Sequence, residues 1–128
     1  RVYAMTSRLL YTVSTIQRSV DAITVHCGGA VDNRCTSAAV REVCETVSYL
    51  VTNVVATVAP SVRAQCGELR VERGRAVLPI TLTDGELSVQ LDVYIVVALS
   101  DDGFALKAKS TLAGALPLPQ RSTGAENF

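Results

Sequence analysis

A strict two-residue period runs from Leu87 to Leu99 and constrains the fold more than any other stretch of this chain. All seven odd positions in it are aliphatic, while the even positions begin with the polar residues Ser88, Gln90 and Asp92. Because side chains alternate between the two faces of a β-strand, this pattern predicts a long strand whose odd face lies in a core.

Turn-forming residues on both sides of this strand predict its neighbours. Asp84-Gly85 favours a two-residue hairpin turn before it, and Asp101 to Gly103 favour a turn after it. Pro79 has no N–H to donate, so the preceding strand is expected to lie at an edge or to be bulged at that residue. We expect four strands in an antiparallel meander, over 68–72, 76–83, 87–99 and 104–112.

The first half of the chain has helical spacing instead. Apolar residues recur at steps of three or four from Val2 to Ile23, and again from Val40 to Val58. Thr36 or Ser37 is expected to cap the second helix. Because Ala30 to Cys35 form a short connection, the two helices are expected to pair as an antiparallel hairpin.

These patterns predict an α+β fold in the order α-α-β-β-β-β. An antiparallel helical hairpin would pack on a four-stranded antiparallel β-meander, as one domain over residues 1–112. Residues 113–128 have no periodicity and include Pro117 and Pro119, so we expect an extended or disordered C-terminal tail.

Charge and hydropathy exclude some classes of partner. The chain has twelve basic and twelve acidic residues, and neither sign forms a run, so nucleic acid is not an expected partner. No stretch approaches the roughly 20 apolar residues that cross a bilayer. The sequence begins at Arg1, and we interpret it as a piece of a longer polypeptide. Contact with a membrane is therefore expected only through a segment outside this sequence.

Four cysteines, at positions 27, 35, 44 and 66, allow three complete disulfide pairings. Cys27 and Cys35 bracket the connection between the helices, and Cys66 could return beside Cys44, so these two pairs are favoured. The alternative is that Cys44 is a small buried residue with a free thiol. An even number of cysteines in a small domain favours an extracellular, cell-surface or other oxidising compartment. Their spacing contains no Cys-x-x-Cys, so no metal site is expected.

Few residues are candidates for catalysis. His26 could act as a base beside Cys27, but we interpret His26 as a cation at the C-terminal end of the first helix. Asp92, Asp101 and Asp102 could supply a carboxylate pair, but a solvated strand residue and two turn residues explain them more simply. The sequence therefore predicts no enzyme and no cofactor.

The even positions of the long strand become apolar at Tyr94, Val96 and Ala98. This patch predicts an interaction surface, and with the helical stripes it favours a non-catalytic extracellular or surface domain that binds a protein partner or a second copy. The alternative is a carrier that holds a lipid or another apolar ligand in a cavity between the helices and the sheet.

Overall fold

The computed structural model describes residues 2–28, 33–73 and 75–113, with side chains described from residue 7 and, after the first gap, from residue 36. It contains two helices and a six-stranded antiparallel sheet, so the α+β class is confirmed. In chain order the elements are α1 (Val2–Val20), β1 (Thr24–Gly28), α2 (Asn33–Val58), β2 (Arg63–Cys66), β3 (Arg70–Glu72), β4 (Arg75–Asp84), β5 (Leu87–Ser100) and β6 (Gly103–Ala113).

Strand β5 lies in the middle of the sheet, as its two-residue period predicts. The strands are ordered β1-β6-β5-β4-β2, and β3 pairs with β4 beyond the end of β2. The hairpin turn at Gly85 has the positive φ of 65° that favours glycine. On one face of the sheet, Val89, Leu91 and Val93 are buried.

Both helices pack on that same face. The predicted stripe of α1 is buried at Leu9, Val13 and Ile16, and the stripe of α2 is buried at Val43 and Val47. These side chains form one core with the apolar strand residues. The helically spaced apolar residues of the first half form one apolar surface, and the alternating apolar residues of the second half form another. The two surfaces pack against each other and cover each other from solvent.

The predicted helical hairpin is wrong in its connection, because a strand lies between the helices. Residues Thr24–Gly28 form β1 and pair with β6 at the edge of the sheet. Helix α1 ends at Val20, where the carboxylate of Asp21 accepts hydrogen bonds from the backbone N–H and the hydroxyl of Ser110, at 2.9 and 3.0 Å. That contact ties the end of α1 to β6, the strand with which the following residues pair.

Three further boundaries differ from prediction. Helix α2 begins at Asn33, before the predicted caps. The strand expected over 68–72 is only Arg70–Glu72, and the extra strand β2 precedes it, so the four-strand count is wrong. Both strands are short, and four and three residues give little alternation to detect. The predicted tail lies outside the described residues except for Ala113, which ends β6.

Pro79 lies where the edge of the sheet passes from β2 to β3. Cys66 pairs with Ile80 and Arg70 pairs with Val77, so neither strand pairs with Pro79. The Pro79 carbonyl accepts a hydrogen bond of 2.8 Å from the N–H of Gly67, in the segment between β2 and β3. Because the nitrogen and the carbonyl of a strand residue point to the same neighbour, the Pro79 nitrogen, which has no hydrogen to donate, also faces this segment. Strand β4 is flanked on both sides and pairs with β5 in unbroken register through Pro79, so the predicted edge position or bulge in this strand is wrong. The irregularity lies instead in the neighbouring edge, between β2 and β3.

Gly103 gives a first prediction for stability. Its φ is 153°, and a Cβ added there would overlap the carbonyl oxygen of Cys27 on the paired strand. We expect Gly103→Ala to lower the free energy of unfolding by roughly 1–3 kcal/mol, measured by urea denaturation. Gly28 pairs with Gly103 and has open space around its Cα, so Gly28→Ala is the matched control. Equal losses in the two variants would contradict this account.

An ion pair joins α1 to the hairpin turn between β4 and β5. The Nε of Arg8 donates to the Oδ2 of Asp84 at 2.8 Å, and the Asp84 side chain is only 5% exposed. We expect Arg8→Met to lower the free energy of unfolding by about 1–3 kcal/mol, because a buried carboxylate would lose its charged partner. Arg18 makes only an exposed contact with Ser14, so Arg18→Met should have a much smaller effect in the same denaturation experiment.

Candidate functional site

The sheet has a second face on which no described helix or strand packs, and we call it the uncovered face. Strand alternation and register assign its members, because both helices pack on the opposite face. They are Thr24, His26, Gly28, Arg63, Gln65, Arg70, Glu72, Arg75, Val77, Pro79, Thr81, Thr83, Ser88, Gln90, Asp92, Tyr94, Val96, Ala98, Ser100, Gly103, Ala105, Lys107, Lys109, Thr111 and Ala113.

Tyr94 lies near the middle of the uncovered face and is held by its neighbours. The guanidinium carbon of Arg75 lies 4.6 Å from the centre of the Tyr94 ring, a distance typical of a cation–π contact. Across the ladders, Tyr94 pairs with Val77 on one side and with Lys109 on the other. Val77 is fully buried even though it belongs to this face. The centre of the face therefore contains a fully buried aliphatic side chain beside the Tyr94 ring.

The other two predicted interaction residues extend this apolar centre along β5. Val96 pairs with Lys107, and Ala98 pairs with Ala105. Tyr94, Val96 and Ala98 are all half-buried. The structure thus brings the three predicted residues together on one side of one strand, with Val77 and Ala105 as aliphatic neighbours and Arg75, Lys107 and Lys109 as basic ones.

The charges on the uncovered face are unbalanced, which sequence reasoning missed. Five of its residues are basic and two are acidic, although the whole chain is neutral. One of the two acids, Glu72, accepts a hydrogen bond of 3.0 Å from Arg70. The other, Asp92, accepts from the side chain of Gln90 at 3.0 Å. The basic residues come from four strands, so no run of charge in the sequence indicated the cluster.

The odd-numbered side chains of β5, which the two-residue period places in the core, are buried along only part of the strand. Val97 and Leu99 are 47% and 75% exposed, whereas the sequence placed every odd position in the core. A strand of 14 residues spans roughly 46 Å. Both helices cross the strands, since α2 contacts β1 and β2 at opposite edges of the sheet and α1 contacts β4, β5 and β6. Two helices side by side therefore cover only about 20 Å of the length of β5. The end of β5 therefore extends beyond the part of the sheet that the helices can cover.

The structure separates the residues considered for catalysis. His26 lies in β1 opposite Ala105, so its predicted place at the end of a helix is wrong. As neighbours in a strand, His26 and Cys27 face opposite sides of the sheet. Asp92 lies in β5 and Asp101 in the turn after it, nine residues and roughly 30 Å away, which is too far for Asp92 to form a carboxylate pair with Asp101 or Asp102. Within the described ranges, no three His, Cys, Asp or Glu side chains are grouped so that they could hold a metal ion.

Two of the four cysteines line one cleft. Cys44 on α2 and Cys66 on β2 border an open cleft of about 480 Å³, together with Arg41, Glu45 and Leu78. The thiols of Cys27, Cys44 and Cys66 are free in the structure, and the side chain of Cys35 lies outside the described residues. Burial raises the pKa of the Cys44 thiol, and the charges of Cys66 and Glu45 raise it further.

Comparisons of this chain with models of protein families, with curated proteins and with solved structures returned no match. Neither described helix has the combination of length and hydropathy needed to cross a bilayer. The site must therefore be interpreted from its own residues.

The raised pKa of Cys44 predicts slow alkylation in the reduced protein. Because the thiolate is the reactive form, a raised pKa lowers the thiolate fraction at any pH below it. We expect iodoacetamide to modify Cys44 more slowly in the folded than in the urea-unfolded protein at pH 8. The difference should shrink as the pH rises above 9, the ordinary value for this thiol. Equal rates at pH 8, measured by mass spectrometry of the peptide containing Cys44, would show that the folded environment does not protect the thiol.

Proposed function

We propose that this chain is a non-catalytic interaction domain of an extracellular or cell-surface protein, and that its uncovered face binds an acidic partner protein. The observation that carries this proposal is the combination on one sheet face of an apolar centre around Tyr94 and a surplus of basic side chains. Protein interfaces commonly have an apolar, aromatic centre inside a polar rim, and charge complementarity adds specificity to such a surface.

The composition of the uncovered face supports an acidic partner rather than a second copy. If two copies met through this face, Lys107 and Lys109 of one would approach the same cations of the other. Repulsion between these like charges would oppose association of the two copies, and the face has few acidic side chains to offset the repulsion. The apolar stripes of both helices, which also suggested self-association, are used within the fold.

The interior supports the interaction hypothesis over the apolar-ligand carrier. Leu9 and Ile16 on α1, Val43 on α2, and Leu91 and Leu106 in the sheet are all fully buried. They fill the space between helices and sheet in which a lipid would have to lie. The cleft at Cys44 is lined partly by charged residues and lies at the surface, which suits a lipid poorly.

A site-specific cross-linking experiment tests the proposed face. We expect a photoreactive phenylalanine analogue at position 94 to capture a protein in the cells from which the chain comes. The same analogue at Tyr49, a tyrosine of α2 that is 72% exposed, is the matched control and should capture little. Adducts formed equally from both positions would contradict a role for this face.

Charge reversal then tests the acidic partner. Lys107→Glu combined with Lys109→Glu should weaken binding at least tenfold, about 1.4 kcal/mol, and increasing salt should weaken the wild-type complex. Arg18→Glu is the control, because it also reverses a basic charge but on the exposed side of α1, away from the uncovered face. It should change the affinity for the partner little. A position-94 adduct that survives the double reversal, or that is removed by nuclease treatment, would overturn the proposal of an acidic protein.

The oligomeric state provides a separate test. If the uncovered face binds a different protein, the isolated chain should sediment as a monomer across a hundredfold range of concentration. A dimer that dissociates when Tyr94 is replaced by Glu would instead identify this face as a contact between copies. Tyr49→Glu is the control, because it places the same charge on the opposite side of the molecule.

A further inference from the structure

We propose that Cys44 and Cys66 form a disulfide bond that joins α2 to β2 when the chain meets a disulfide oxidant such as oxidised glutathione. The inference does not depend on the proposed partner. It rests on how the sheet order, the path of the chain and the shared cleft place these two thiols.

The sheet register aims Cys66 toward α2. Cys66 pairs with Ile80, which is fully buried on the helix-bearing face of the sheet, so the Cys66 side chain lies on that face too. On α2, Cys44 follows the fully buried Val43 at the margin of the helix stripe. Both thiols are half-buried and pack against the core.

The path of the chain brings Cys66 back toward Cys44. From Cys44 to Val58 the helix rises about 21 Å. The chain then turns, with the N–H of Val62 donating to the carbonyl of Ala59, and β2 runs back about 13 Å as far as Cys66. The result is the cleft whose wall includes both cysteines, with Leu78 and Gly67 beside them.

Sheet order excludes the competing pairing of Cys66 with Cys27. Cys27 lies in β1 and Cys66 in β2, and these strands are separated by β6, β5 and β4. Four strand spacings amount to about 19 Å, far beyond the roughly 6 Å between the Cα atoms of a disulfide. Of the thiols that the structure describes, Cys44 is therefore the partner within reach.

The chemistry requires one oxidant molecule for each bond. One cysteine thiolate attacks oxidised glutathione, releasing a glutathione thiolate and leaving a mixed disulfide. The second cysteine thiolate then attacks the protein sulfur of that mixed disulfide and releases the second glutathione. Two protein thiols and one oxidised glutathione thus give one disulfide and two reduced glutathiones. The cleft is open to solvent, so the oxidant can reach the thiols.

Trypsin separates the four cysteines, which makes the pairing directly readable. Cleavage after arginine places them on the peptides 19–34, 35–41, 42–63 and 64–70. The reduced chain would be exposed to oxidised glutathione under native conditions, alkylated at its remaining thiols, and digested. We expect peptide 42–63 linked to peptide 64–70, with the link lost on reduction. Alkylated Cys44 and Cys66, or a link from either to another cysteine, would overturn the proposal.

The midpoint of thermal unfolding, measured with and without reductant in the wild type and in cysteine variants, tests whether the disulfide forms in the folded protein rather than only in unfolded chains. The wild-type midpoint of thermal unfolding should fall by about 10 °C when reductant is added, because the bond closes a loop in the unfolded chain. In Cys44→Ser the same reductant should change the midpoint little, whereas Cys27→Ser should retain the wild-type shift. A wild-type midpoint unaffected by reductant would show that the bond does not form in the folded state.

Discussion

The pairing of β5 with its two neighbours is the interaction on which the rest of the structure depends. Nine residues of β4 and eleven of β6 are in register with this strand. A shift of one residue would turn Leu91 and Val93 away from the core and expose them, so the alternating pattern holds the register. The same register determines which residues meet on the uncovered face, since each side chain has a fixed neighbour across the ladder.

How much the sequence could predict depended on the length of each pattern. The long strand, its Asp84-Gly85 turn and the two helical stripes each span enough residues for periodicity to be recognised, and the structure contains all of them. The strand β1 was missed because its five residues follow the stripe of α1 without a proline or glycine between them. Whether so short a segment forms a strand depends on the strand with which it pairs. For β1 that strand is β6, about 80 residues away in the chain.

In the candidate site, too, the residues within one strand could be identified from the sequence, whereas the residues contributed by other strands could not. Tyr94, Val96 and Ala98 could be selected because they interrupt a polar alternation within one strand. The cations around them could not, because Arg70, Arg75 and Lys109 are brought together only by strand pairing. Chain reach alone predicts that Cys66 can return beside Cys44, and the two residues line one cleft, whereas the strand order that separates Cys27 from Cys66 required the fold.

The contact between Asp21 and Ser110 has a consequence for how the protein is made. The two residues are 89 positions apart, and β6, which covers part of α1, is the last described element to be synthesised. At roughly 5–20 residues per second, a ribosome needs about 4–18 seconds to travel from one to the other. Until β6 has been synthesised, the part of α1 that contacts this strand lacks one of its packing partners. The packing of α1 against β6 can therefore form only after all the other described elements have been synthesised.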